Sequence, residues 1–192
     1  MEPDATIVDR LITEHISVAE NVKATSESIL AVTNALLDLI ARDGKLLVCG
    51  NGGSAADAGH WSAEWRVRFK KDRRALRAES LVADTMTITA AGNDLGFETI
   101  FSRQVEAAGS KGDALLAIST SGNSPNILAA ARVAKQQGMK VIAFTGGTGG
   151  ELVKLADLSF IAPSPITARI QEMHELAMHI ICELIDKHLG VV

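Results

Sequence analysis

KLLVCGNGGSAADAGHWSAEW, residues 45–65, is the stretch that decides the fold. Its first six residues are a short, continuous apolar run directly after Asp43-Gly44, the pattern of a parallel strand buried on both faces. A glycine-rich turn follows, and residues 55–65 are predicted helical. The same plan returns downstream. DALLAIS (113–119) leads into TSGNSPN and the helical LAAARVAKQQG, and KVIAFTGG (140–147) supplies another strand and turn. AESLVAD (78–84) and DLSFIAP (157–163) read as further strands. Strands alternating with helices imply an α/β domain with a doubly wound parallel sheet. Such sheets bind ligands outside the carboxyl ends of their strands, where connections leave in opposite directions. Residues 51–54 and 119–124 are therefore expected to flank one cleft.

Outside this unit the chain is helical at both ends. Ile7, Leu11, Ile12, Ile16 and Ala19 repeat at helical spacing, as do Ile29, Val32, Leu36, Leu37 and Ile40. The first 42 residues are thus expected to form a helical pair, packed antiparallel and used in packing or oligomerisation. After Pro163 and Pro165 a long final helix is predicted from Thr167 to His188. The 192 residues suit one domain, since single cores usually run to about 100–200 residues. With 47% hydrophobic and 22% charged residues the chain is globular. No apolar run approaches the ~20 residues of a membrane span, and the acidic, amphipathic start lacks the features of a secretory signal. A cytoplasmic protein is expected. Cys49 and Cys182 lie in apolar segments and read as buried thiols rather than a disulfide. The net charge of −4 gives no general attraction to nucleic acid, so any anion must be met locally.

Residues 119–124, STSGNS, place four hydroxyls and a glycine before a helix opened by Pro125. Free N–H groups and the positive end of the helix dipole would face this loop, which suits a phosphate. Simple helix capping would use one of the hydroxyls, not four. Neither glycine loop has the dinucleotide fingerprint or a Gly-Lys-Ser/Thr element, which argues against a nucleotide. Gly52 and Gly53 would let the backbone approach a ligand, with Asn51 adding amide contacts. His60 and Glu64 stand four apart on one helical face at the cleft, where they could share a metal. The final helix offers Gln171, Glu172, His174, Glu175 and His179. Spacing leaves open which of these turn inward, and it makes Glu175 with His179 the better pair.

CGNGGSAADAGHWSAEW, GNDLGF, ISTSGNSPN and ARIQEMHELAMH together resemble, in order and spacing, the phosphoheptose isomerases of the sugar-isomerase (SIS) domain superfamily. The resemblance runs from about residue 45 to 188 and implies a single flavodoxin-like SIS domain. It implies one zinc ion per subunit on His60, Glu64, Gln171 and His179. Substrate contacts would come from Asn51, Gly52, Gly53, Glu64, Asn93, Asp94, Ser119, Thr120, Ser121, Ser124 and Gln171. It also implies a homotetramer with active sites between subunits. The implied reaction converts sedoheptulose 7-phosphate to a glycero-manno-heptose 7-phosphate, the first step of nucleotide-activated heptose biosynthesis, as for lipopolysaccharide. Glu64 would be the base and His179 the acid. Two features depart from the family pattern. Ala168 stands where some members carry Asp, and Arg73-Arg74 replaces a common Arg-Pro.

A non-catalytic SIS protein regulating DNA replication initiation is the main alternative, but such a regulator lacks counterparts of Glu64 and His179. A sugar-phosphate sensor that binds without turnover is another. The basic run at residues 66–77 holds seven cations near Trp61, Trp65 and Phe69, a composition seen in single-strand binding. A solvated loop beside core aromatics is the simpler expectation, and His15, His174 and His188 are expected at the surface or in packing.

Overall fold

The computed structural model describes residues 4–191. Five strands, β1 (Leu46–Gly50), β2 (Ala78–Ser80), β3 (Ala114–Ile118), β4 (Lys140–Gly146) and β5 (Leu158–Ala162), pair in parallel in the order β2-β1-β3-β4-β5. All five coincide with runs read as strands in the sequence. Connections leave β1 towards β2 and β3 towards β4, so the switch point lies between β1 and β3.

The two-residue period of a strand divides the core into two layers. Leu46 and Val48 point to one face, with Trp61, Trp65, Phe144 and Phe160, under helices α2 (Ser26–Ala41), α3 (Gly53–Arg66) and α8 (Thr167–His188). Leu47 and Cys49 point to the other, under α5 (Ser102–Ala108), α6 (Pro125–Gln136) and α7 (Gly150–Leu155). Both layers are apolar, which explains why β1, β3 and most of β4 are buried throughout. α4 (Thr85–Asp94) follows β2; Asp84 caps it by accepting from the N–H groups of Met86 and Thr87. Helices α4, α5 and α7 were not singled out in the sequence because they are short and weakly periodic.

The expected antiparallel hairpin at the amino end does not form. α1 (Ala5–Asn21) passes through a single 3₁₀ turn, Val22–Thr25, into α2, with right-handed helical backbone at Asn21 and Val22. No glycine or proline stands there to reverse the chain. α2 enters the core, whereas none of α1 is buried, and α1 touches α8 through polar contacts. Arg169 of α8 donates to Leu11 O, and His15 Nδ1 lies 2.7 Å from Glu172 Oε2. An 18-residue window of Ala5–Ala41 reaches a mean hydropathy of 1.2, more apolar than the sequence reading allowed. The core already takes up the apolar side of α2.

The basic run is only partly a solvated loop. Arg73 is buried and donates from Nε to the fully buried Asp186 of α8 at 2.8 Å, from Nη2 to Glu64 O and from Nη1 to Trp65 O. It satisfies carbonyls that the last turn of α3 leaves open. Lys70 pairs with Glu183 at 2.6 Å, and both tryptophans lie in the core, unavailable to stack on bases.

Candidate active site

The loops after β1 and β3 meet, as the switch point requires. Asn51 and Asn126 exchange reciprocal amide hydrogen bonds of 2.8 and 2.9 Å, joining the end of β1 to the first turn of α6. Asn126 is 2% exposed, so this pair is a fixed strut between the loops. Ser119 Oγ lies 3.1 Å from Ser124 Oγ, and Ser124, the N-cap residue of α6, makes no side-chain capping bond. The hydroxyls are therefore not spent on capping. Gly122 adopts φ +64°, and a Cβ there would overlap the Gly149 carbonyl, so only glycine lets the loop close against the start of α7. Ser119 is buried, Thr120 and Ser124 are half-buried, and Ser121 is exposed. This loop is a compact polar cradle at a helix start.

On its other side the β1 loop touches α8. Gly53 opens α3 against the Gln171 amide, and a side chain at residue 53 would displace it. One turn further along α3 stands the half-buried Asp57, then His60, then Glu64. His60 Nε2 lies 3.0 Å from Glu64 Oε1, and His60 Nδ1 lies 2.6 Å from Glu175 Oε1. Glu175 Oε1 is also 3.6 Å from His179 Nε2. The His60 and His179 rings meet edge to face at 5.3 Å, and Phe69 covers His179 at 5.4 Å. Burial, with the nearby Glu175 charge, pushes the Asp57 carboxyl up to about 6, against an opposing pull from His60.

Four predicted metal residues thus sit on two facing helices, but not as an even set. His60, Glu64 and His179 gather with Glu175, whereas Gln171 lies towards Gly53. Asn93 and Asp94 lie exposed at the end of α4, where Asn93 Nδ2 donates to Asp94 Oδ1 at 2.7 Å. Glu175, Asp57, Asn126 and Arg73 were not among the expected site residues. The first had a signal in its spacing to His179, and Asp57 stands one turn before His60. Asn126 and Arg73 declare themselves only through partners distant in sequence.

The side chains suit a metal ion. His60, Glu175 and His179 each offer a donor atom within 4.8 Å of the others and could hold one. Glu64 Oε2 is buried without a hydrogen-bond partner, an acceptor lone pair facing no donor. Imidazole nitrogen with carboxylate and amide oxygen is a donor set that zinc accepts. His174, by contrast, is buried away from this cleft between Phe144 and Phe160, with Nε2 2.9 Å from Thr145 O.

A sequence profile of the SIS domain matches residues 12–146. The phosphoheptose isomerase of Campylobacter jejuni is 45% identical over 181 residues, which cover 94% of this chain and 97% of the relative. Among solved structures, the phosphoheptose isomerase of Neisseria gonorrhoeae superposes with a TM-score of 0.91 at 41% identity, covering 95% of this chain and 98% of that one. The one from Francisella tularensis gives 0.93 at 37% identity, covering 97% and 100%.

Proposed function

The chain belongs to the SIS domain family, among the phosphoheptose isomerases, and from that premise we propose that it interconverts sedoheptulose 7-phosphate and D-glycero-D-manno-heptose 7-phosphate. One observation carries the reading at the level of atoms. The β1 loop is tied to the start of α6, directly after the hydroxyl-rich loop, through Asn51 and meets α8 through Gly53, so one small phosphorylated sugar would bridge both.

Residues 119–124 bind the phosphate through hydroxyls and backbone N–H groups at the α6 start. Asn51, Gly52 and Gly53 line the path between the phosphate and the reacting carbons. Aldose–ketose isomerisation moves a proton between adjacent carbons through an enediol, which needs a base, an acid and stabilisation of the developing oxyanion. Glu64 takes the proton; Arg73 donates to its backbone carbonyl and so fixes the end of α3 that carries it. Glu64 returns that proton to the adjacent carbon, while His179, on the facing helix and covered by Phe69, is the acid that exchanges a proton with the sugar oxygens. Zinc held by His60, Glu64, Gln171 and His179 would polarise the sugar oxygens when bound.

Asn93 and Asp94, exposed at the end of α4, would add substrate contacts in active sites shared between subunits of a homotetramer. Ile7, Val8, Leu11, Ile12 and Ile16, exposed on α1, would supply assembly surface. The enzyme would act in the cytoplasm at the start of nucleotide-activated heptose supply, as for lipopolysaccharide. The test is incubation of zinc-loaded protein with sedoheptulose 7-phosphate in deuterated water. Aldose should form with deuterium at the carbon next to the carbonyl, and Glu64→Gln should abolish both. Tight sugar-phosphate binding without exchange would replace the isomerase with a sensor.

A further inference from the structure

His179, the acid of the reaction proposed above, has no hydrogen bond to hold its ring among the described residues. Its ion-pair partner there, Glu175 Oε1, stands 3.6 Å from Nε2, beyond hydrogen-bond distance. The side chain is 40% exposed, so burial does not fix it either. What meets the ring is aromatic. His60 approaches edge to face at 5.3 Å, and Phe69 lies against it at 5.4 Å with its plane tilted by 30°. Both separations fall within the range of about 4.5–7 Å at which aromatic pairs attract.

Phe69 is set there by its own segment of chain. The basic run at residues 66–77 has no part in holding the phosphate or the metal, but it crosses α8 in register. Phe69 meets His179, Lys70 Nζ lies 2.6 Å from Glu183 Oε2, and Arg73 Nε donates to Asp186 Oδ1 at 2.8 Å. Residues 179, 183 and 186 stand at i, i+4 and i+7, on one face of the helix. The Lys70 ammonium also lies 5.5 Å from the centre of the Phe69 ring, within cation–π distance. Arg73 and Asp186 are buried, whereas Lys70 and Glu183 are half-exposed, so the first pair anchors the strap and the second is the weaker tie.

We propose that Phe69 is a positioning residue for His179: laid along α8 by Lys70 and Arg73, its ring holds the imidazole against His60 in the orientation from which it exchanges protons with the sugar. The proposal rests on the isomerase reading above and deepens it. An imidazole free to turn would spend part of its time away from the substrate, and a misplacement of about 1 Å can cost about 100-fold in rate. Arg73 also binds the Glu64 and Trp65 carbonyls, so the segment that steadies the acid on α8 also fixes the end of α3 that carries the base.

The test compares Phe69→Leu, which keeps apolar bulk and removes the ring, with Phe69→Tyr, which keeps the ring. With sedoheptulose 7-phosphate, kcat should fall about 10–100-fold in Phe69→Leu while KM changes less than about twofold, and kcat should largely recover in Phe69→Tyr. In ¹³C-histidine-labelled protein the His179 ring protons should be displaced by the ring current of Phe69. That displacement should vanish in Phe69→Leu and persist in Phe69→Tyr; His179→Gln identifies the signal by its loss. Lys70→Met, which loosens the strap and leaves the core filled, should move both readouts part of the way, and it carries the test if thermal melts show that Phe69→Leu does not fold. An unchanged kcat in Phe69→Leu, equal losses in the leucine and tyrosine variants, a loss confined to KM, or a His179 signal indifferent to the substitution would each overturn the proposal. If the wild type does not turn over sedoheptulose 7-phosphate, the isomerase reading fails, and the ring-current measurement still decides whether Phe69 holds His179.

Discussion

His174 should make the folded state lose stability in mild acid. Its ring is 1% exposed, enclosed by Phe144 and Phe160, and Nδ1 has no hydrogen-bond partner. A carbonyl accepts at Nε2, so the neutral ring carries its proton there. Burial outweighs that hydrogen bond and pushes the pKa down from 6.5 to about 4. The unfolded chain takes up a proton below 6.5, whereas the folded one does not until about 4. Stability is therefore full above pH 6.5 and declines as pH falls towards 4, by about 3 kcal/mol in total. Asp57 works in the opposite sense. Its folded pKa is raised, so its contribution is present at low pH and lost as pH rises through about 6. The wild-type profile alone would mix the two effects, and the difference from His174→Leu isolates His174. Urea unfolding followed by the fluorescence of buried Trp61 and Trp65, from pH 8 to 4.5, is the assay. At pH 8 the variant should be weaker by about 1–3 kcal/mol, because the Thr145 carbonyl loses its donor. By pH 4.5 that deficit should have shrunk by about 2–3 kcal/mol. A deficit that stays constant across this range would refute the buried neutral histidine.

Gly53→Ala should leave the melting temperature nearly unchanged, since the Gln171 end it displaces is flexible, while lowering zinc affinity measured by competition with a chromophoric chelator. Gly122→Ala meets rigid backbone at φ +64° and should cost about 1–3 kcal/mol in urea unfolding, with weaker binding of inorganic phosphate. Arg73→Met should cost about 3–5 kcal/mol by stranding the buried Asp186 carboxylate, and adding Asp186→Leu should recover much of it. Cys49 and Cys182, both pushed up to about 12 by burial, should resist iodoacetamide in the native protein at pH 8 and react once it is unfolded in urea.

β1, β3 and β4 were legible because each is an apolar run long enough to be buried and too short to be a helix, with a turn at its end. KLLVCG and DALLAIS carry that signal in a few residues. The amino-terminal hairpin was misread for a related reason. Periodicity reports which side of a helix is apolar and says nothing about the angle between successive helices. That angle was set by four residues, Val22–Thr25, that continue the helical path instead of reversing it. Arg73 was hidden by its company: a cation among six others reads as solvent-facing, and only the distant Asp186 reveals the buried pair.

The cleft shows the same limit more sharply. Gln171, Glu175 and His179 follow one another at four-residue steps along one face of α8, so helical phase alone gives each a similar claim to point inward. What separates them comes from α3. Gly53, lacking a side chain, leaves room for the Gln171 amide, and His60 turns Nδ1 to Glu175. His179 meets the edge of the His60 ring and is closed in by Phe69. Three polar residues equivalent in spacing thus take three different duties from what a second helix sets opposite them. The spacing argument for Glu175 with His179 and the family resemblance naming Gln171 with His179 do not compete. Spacing brings Glu175 beside His60 and His179, the resemblance adds Gln171 as a proposed metal ligand, and the helix has places for both.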